Sequence, residues 1–286
     1  MSYWQAVWLG IVQGVTEFLP VSSSGHLALF SMITGRETPG GLTFDIMLHI
    51  GTLFAVFIAF WGDIKSIISA FFAMLADLFF GRRSLTDPDV RRMILLLGIA
   101  LIPLFMLILF RDFADRTRSP LIIGMALIVT GCLLKISDYY QNGTRNERTT
   151  KKRDALLVGW MQACAALIPG LSRSGSTIST GLFRGMSREF AFKFSFLLSI
   201  PTIMAATAFE LASLLREPPA NPDHTLANIW MQGLIGIAVA AFVGYLAIVL
   251  LRRLMRGKGF GAFAYYCWVV GGLVIGAVLL GYLNAL

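Results

Sequence analysis

Residues 13–26 read QGVTEFLPVSSSGH, and this stretch decides the fold. Its first half continues an apolar run, with Gln13 and Glu17 four residues apart and so on one helical face. Pro20 then breaks the run, and Ser22, Ser23, Ser24 and Gly25 follow before His26. Broken backbone at membrane depth persists only where protein or water satisfies it. Residues 162–175, QACAALIPGLSRSG, repeat the pattern. Gln162 and Pro169 stand seven apart, as Gln13 and Pro20 do, and Ser172-Arg173-Ser174-Gly175 answers Ser22-Ser23-Ser24-Gly25 after one residue of slippage.

The surroundings of both stretches are apolar. Of 286 residues, 56% are hydrophobic and only 14% charged, against about 25% charged in a soluble domain. A bilayer crossing takes ~20 mostly apolar residues, and six runs qualify: roughly 43–62, 93–110, 119–137, 188–214, 228–251 and 262–284. Segment 64–80 extends the first span or lies at the interface. Stretches 3–30 and 155–183 read as re-entrant helix–loop–helix hairpins. The expected fold is an all-α polytopic membrane protein: one membrane domain over 1–286, with six transmembrane helices and two hairpins. Repeat one covers about 1–140 and repeat two about 155–286. Each holds a hairpin and three spans, so the second copy enters from the opposite face. This makes an inverted-topology repeat whose hairpins meet near the midplane.

The net charge of +8 does not point to nucleic acid, because the basic residues form short clusters between apolar runs. One set of loops holds Arg82, Arg83, Arg91 and Arg92, then Arg145, Arg148, Lys151, Lys152 and Arg153, then Arg252, Arg253, Arg256 and Lys258. The alternate loops hold Arg36, then Arg111, Arg116 and Arg118, then Arg216. The positive-inside rule makes the first set cytoplasmic and puts both termini outside the cytoplasm. The N-terminus lacks a basic n-region and a cleavage site and is expected to be retained. Cys132, Cys164 and Cys267 lie in or near apolar segments with no metal or disulfide spacing, and buried thiols are the expectation.

Ionisable residues inside apolar segments are costly and therefore functional candidates. They are Glu17, His26, Asp45, His49, Arg173, Lys193 and Glu210. The first stretch offers Glu17, Gln13, serine hydroxyls and the His26 imidazole, which suit holding a divalent cation, activating a nucleophile and shuttling a proton. The second offers Arg173 among Ser172, Ser174, Ser176 and Thr177, a phosphate cradle flanked by Gly170 and Gly175. Phosphoryl transfer uses such parts. Asp45 and His49 fit a supporting or a structural role equally, Lys193 and Glu210 fit snorkelling as well as function, and His224 fits a solvated loop.

Together, residues 13–26 and PGLSRSGST (169–177) resemble the BacA-type undecaprenyl-pyrophosphate phosphatase family of bacteria. FDIMLHIGTLFAVFIAFW (44–61) and FSFLLSIP (194–201) extend the resemblance along the chain. It implies hydrolysis of undecaprenyl pyrophosphate to undecaprenyl phosphate and inorganic phosphate, recycling the lipid carrier of peptidoglycan synthesis. It also implies bacitracin resistance on overexpression, the bacterial plasma (inner) membrane, and a divalent cation, Mg2+ or Ca2+. The family's Glu/Gln-x-x-x-Glu motif falls on Gln13 and Glu17, with Glu17 the metal ligand and Gln13 an amide where some members carry a carboxylate. Its catalytic histidine falls on His26, its serines on Ser22 and Ser23, and its phosphate-binding residues on Ser172, Arg173 and Thr177. Ser174 joins the substrate-binding set.

Water, Ser23 or His26 remains open as the nucleophile. The expected partners are the lipid pyrophosphate and the bilayer, with a homodimer left open. Two other readings compete. A phosphatidic-acid-type phosphatase would need a histidine and an aspartate soon after Arg173, where only His224 follows, in an outer loop. A polyprenyl-phosphate flippase would share the inverted repeat and could coexist with hydrolysis.

Overall fold

Ser2 caps the first helix: its Oγ accepts from the Gln5 N–H, and the Gln5 side chain accepts from the Ser2 N–H. From there α1 (Tyr3–Phe18) runs to Leu19, whose φ of −65° and ψ of 144° give the extended backbone favoured before a proline. In this computed structural model residues 2–34, 41–80, 87–106, 119–140, 142–216, 226–257 and 259–283 are described. The helices that follow are α2 (Ser23–Thr34), α3 (Gly41–Ala59), α4 (Trp61–Phe80), α5 (Pro88–Met106) and α6 (Pro120–Ser137). Then come α7 (Lys152–Leu167), α8 (Arg173–Phe183), α9 (Arg188–Arg216), α10 (Leu226–Met255) and α11 (Gly261–Leu279). Among the described residues β structure amounts to one isolated bridge, Arg145 to Met186.

Among the described residues four helices carry stretches long and apolar enough to cross a membrane, Pro120–Tyr140, Arg188–Phe209, Met231–Met255 and Gly261–Leu279, or five if the bent pair Phe44–Ala59 and Trp61–Phe79 counts as one span. Large apolar side chains face outward along the helices, including Trp8, Phe72, Phe105, Phe242, Val269 and Leu273. In water such a surface would drive association; in a bilayer it is the lipid face. The chain is therefore a helical, multi-pass membrane protein.

The expected 43–62 span ends earlier than its composition suggests. α3 stops at Ala59, and α4 leaves it at 87°, so segment 64–80 does not continue the span in line. Arg252 closes the corner, donating to the Ala59 carbonyl (3.3 Å), one of the groups a helix end leaves open, and resting over the Phe60 ring. The thiols also divide: Cys267 is buried, but Cys132 and Cys164 are exposed because they fall on outward-facing stripes of α6 and α7. Arg36, Arg82, Arg83, Arg111, Arg116, Arg118, His224 and Lys258, and the tail of the 93–110 run, lie outside the described residues; so does the Glu210 side chain.

Packing between the two halves is reciprocal. α1 lies along α10, and α7 lies along α5. α6 and α11, the last helix of each half, pair with each other. Small residues let these backbones meet. A Cβ on Gly14 of α1 would fall 2.9 Å from the Ala240 carbonyl of α10, and one on Gly159 of α7 would fall 2.2 Å from the Ala100 carbonyl of α5.

Candidate active site

Both chain breaks use similar parts. Ile168, before Pro169, is extended like Leu19. Each break contains one residue at positive φ, Ser22 (72°) and Gly170 (93°). Glycine adopts this at no steric cost, whereas Ser22 bears a strain of about 1–2 kcal/mol. Each following helix is capped by a serine: Ser22 Oγ accepts from the Gly25 N–H (3.3 Å) and Ser172 Oγ from the Gly175 N–H (3.1 Å). The capping hydroxyls touch Ser24 and Ser174 at the same 3.3 Å. The helix partnered with the other half holds each freed carbonyl. Thr130 Oγ1 of α6 donates to Gly170 O (3.2 Å), and Cys267 Sγ of α11 donates to Pro20 O (3.8 Å).

The two breaks abut. A Cβ on Gly25 would meet Gly170 Cα at 2.9 Å, and one on Gly175 would meet Pro20 Cβ at 3.3 Å. Ser174 Oγ donates to Leu19 O across the gap (3.3 Å). Packing this close requires glycine on the first turn of each short helix, and it brings Arg173 opposite Glu17.

Glu17 is the hub. Arg173 Nη2 donates to Oε1 at 2.6 Å, Ser23 Oγ to Oε2 at 2.5 Å, and Gln13 Nε2 to Oε2 at 3.2 Å. The ion-paired side chains of Arg173 and Glu17 are only 17% and 6% exposed. Such a pair is well screened from water and strongly attractive, and removing one partner strands the other. A cavity of about 40 Å³ borders it, lined by Thr16, Glu17, Ser22, Ser23, Ser24, Ala165, Leu171, Ser172 and Arg173.

Several expected site residues sit elsewhere. His26 is not among the residues lining this cavity. Its Nδ1 lies 2.7 Å from Ser22 O and its Nε2 2.7 Å from Tyr266 Oη. Thr177 turns to α9, where its hydroxyl meets Ser195 Oγ at 2.6 Å. Ser174 is spent on bridging the breaks, and Gln13 reaches the cavity only through Glu17; its Oε1 is buried without a hydrogen-bond partner among the described residues. His49 Nδ1 lies 2.9 Å from the Asp45 carbonyl oxygen, and the ring is within electrostatic range of Glu17. Lys193 pairs with Asp63 at 2.6 Å. Thr16 and Ser24 in the lining, and Thr130, Cys267 and Tyr266 behind it, are contributors that motif spacing did not single out. Thr16 and Ser24 adjoin flagged residues; the other three carry no local signal.

The donor set bears on a divalent cation. Among the described residues no group of three or more His, Cys, Asp or Glu side chains could hold a metal. Glu17 is the only carboxylate in the lining, with Oε1 engaged once and Oε2 twice. Mg2+ is commonly held by one or two carboxylates plus substrate phosphates and waters. The residues therefore fit a cation shared with a phosphate-bearing substrate, not one caged by protein alone.

A family model described as "Bacitracin resistance protein BacA" matches residues 6–273. The undecaprenyl-diphosphatase of Alkaliphilus metalliredigens is 41% identical over 277 residues, covering 96% of this chain and 98% of that protein. Those of Methanosphaera stadtmanae and Halothermothrix orenii are each 39% identical, covering 94% and 96% of this chain and 96% and 98% of their own lengths.

Proposed function

The chain belongs to the bacitracin resistance protein BacA family, and from that membership we propose that the junction of α1, α2 and α8 is where it hydrolyses undecaprenyl diphosphate. The activity is that of a membrane hydrolase: undecaprenyl diphosphate becomes undecaprenyl phosphate and inorganic phosphate, returning the lipid carrier to cell-wall synthesis.

One observation carries the assignment of the site. Ser23 Oγ is held against Glu17 Oε2 at 2.5 Å while Arg173 neutralises Oε1 at 2.6 Å. This is a nucleophile–base pair with a phosphate-binding cation built in. Here the cation and the base hold each other. The substrate's terminal phosphate draws Arg173 away from Glu17 and opens the junction. Glu17, freed from the guanidinium, accepts the Ser23 proton as Oγ attacks the terminal phosphorus. The bond from that phosphorus to the bridging oxygen breaks, and undecaprenyl phosphate leaves. Water then cleaves the seryl phosphate, releasing inorganic phosphate and restoring the hydroxyl. His26 is the second proton carrier. Ser22 and Ser172 fix the helix N-termini whose N–H groups face the phosphates. A divalent cation held by Glu17 and the phosphate oxygens would supply further charge neutralisation.

The reciprocal packing and paired caps support the finer architecture: six spans, two re-entrant hairpins and an inverted repeat in one membrane domain. With the loop charges, they support both termini on the non-cytoplasmic side of the inner membrane. A hydroxyl held on a carboxylate favours hydrolysis over a carrier role, since transport has no need of it. The test is phosphate release from C55-isoprenyl diphosphate by purified full chain in detergent, with and without chelator. Arg173→Ala should abolish turnover in a protein that still folds; near-normal hydrolysis by that variant would overturn the site.

A further inference from the structure

His26 stands on α2, one helical turn beyond Ser22, with both ring nitrogens engaged. Nδ1 lies 2.7 Å from a carbonyl oxygen, which only accepts, so Nδ1 carries the hydrogen. In the neutral ring the lone pair is then on Nε2, and the Tyr266 hydroxyl 2.7 Å away donates to it. The rings also stack, with centroids 5.7 Å apart and planes 11° apart. Tyr266 reaches His26 from α11, 240 residues further along the chain. Its neighbour Cys267 holds the Pro20 carbonyl, so one turn of α11 grips the first hairpin at its break and at its imidazole.

The second break shows that the fold does not require this contact. Ser172 corresponds to Ser22 by its cap, and Thr130 to Cys267 by the carbonyl it holds. The places of His26 and Tyr266 are then taken by Ser176 and Val129, which form no such pair. The imidazole–phenol pair belongs only to the half that carries Glu17 and Ser23.

We propose that Tyr266 is a positioning residue for the reaction. It holds His26 in the Nδ1–H tautomer with Nε2 unprotonated, and the ring takes up a proton at Nε2 as the Tyr266 hydroxyl turns from donor to acceptor. The phenol is suited to both states of the ring. It donates to Nε2 when His26 is neutral and accepts from Nε2–H once His26 is charged. The proposal rests on His26 being a proton carrier of the site.

The chain has three histidines, so ring-nitrogen NMR of the 15N-histidine-labelled full chain in detergent can resolve His26, assigned by its loss in His26→Gln. The wild type should show a protonated Nδ1 and a hydrogen-bonded, unprotonated Nε2. Tyr266→Phe keeps the stacked ring and loses only the hydroxyl. It should lower kcat by about 10-fold or more with KM within about twofold, as loss of orientation does, and should shift the His26 Nε2 signal. Wild-type turnover by Tyr266→Phe beside an inactive His26→Ala overturns the proposal. So does a loss of turnover with His26 signals unchanged, which marks a merely structural tyrosine. Full activity in His26→Ala instead sinks the assignment of His26 on which the proposal rests.

Discussion

Replacing Glu17 by glutamine separates charge from shape at the junction. The carboxylate accepts from Arg173 on Oε1 and from Ser23 and Gln13 on Oε2. An amide can serve only one side. With its oxygen toward Arg173, its NH2 meets the Gln13 NH2 and leaves Ser23 no acceptor; turned over, its NH2 faces the guanidinium. Stranding one partner of a fully buried pair costs about 3–5 kcal/mol. Arg173 is 17% exposed and borders the cavity, which reduces the expected loss to about 1–3 kcal/mol. The kinetic effect should be larger. A general base contributes ~10²–10⁴ in rate, or about 3–5 kcal/mol of barrier. The assay is phosphate release from C55-isoprenyl diphosphate, run well below the variant's own melting temperature so that unfolding cannot imitate the loss. Glu17→Gln retaining more than about a tenth of wild-type kcat/KM would refute the assignment of Glu17 as the Ser23 base.

Three further outcomes follow from the same geometry. Gln13→Glu sets a second carboxylate about 3.2 Å from Glu17, a repulsion of about 5 kcal/mol at an effective dielectric of 20; the variant should melt lower without divalent cation and be rescued by Mg2+ more than wild type, and equal melting with and without the ion would contradict this. Gly25→Ala should push the two breaks apart, since its Cβ would meet Gly170 Cα at 2.9 Å; turnover should fall by at least about 10-fold, and unchanged activity would mean that the contact does not set the site. Asp154, at the first turn of α7 outside the apolar run, is fully buried and accepts from Arg145 and Arg184, each at 2.8 Å, and from the Lys151 N–H at 3.2 Å. Burial alone would raise its carboxyl, but the Arg184 hydrogen bond, the Lys151 N–H and the charges of Arg184 and Arg145 outweigh this and hold it below the ordinary range. Its stabilisation is therefore complete above the unfolded carboxyl's pKa of about 4 and lost as pH falls through the lower folded value. Asp154→Asn should cost about 3 kcal/mol at neutral pH and flatten the acid side of the melting profile, and a variant that melts like wild type at neutral pH would disprove the clamp.

Local chemistry made the helices legible in the sequence. Apolar run length marks a bilayer crossing, Pro20 and Pro169 mark the breaks, and the Ser-x-Ser-Gly patterns mark the restarts, because each effect acts within a turn or two of its own residues. Cost marked Glu17 and Arg173, since an ionised group in an apolar run must have a partner. Partnership itself was decided by tertiary structure. Glu17 meets Arg173 across 156 residues and His26 meets Tyr266 across 240, and no local pattern encodes a meeting made by helices from opposite halves. Direction was decided there too. Ser23 and His26 lie three apart on one short helix, yet the serine turns to the carboxylate and the imidazole to α11, because side chains project around the helix axis and each takes the neighbour packed on its own side. The 87° corner at Phe60 belongs to the same class: the run from 44 to 79 is predominantly apolar on both sides of the bend, and hydropathy measures length in the membrane but not where a chain bends.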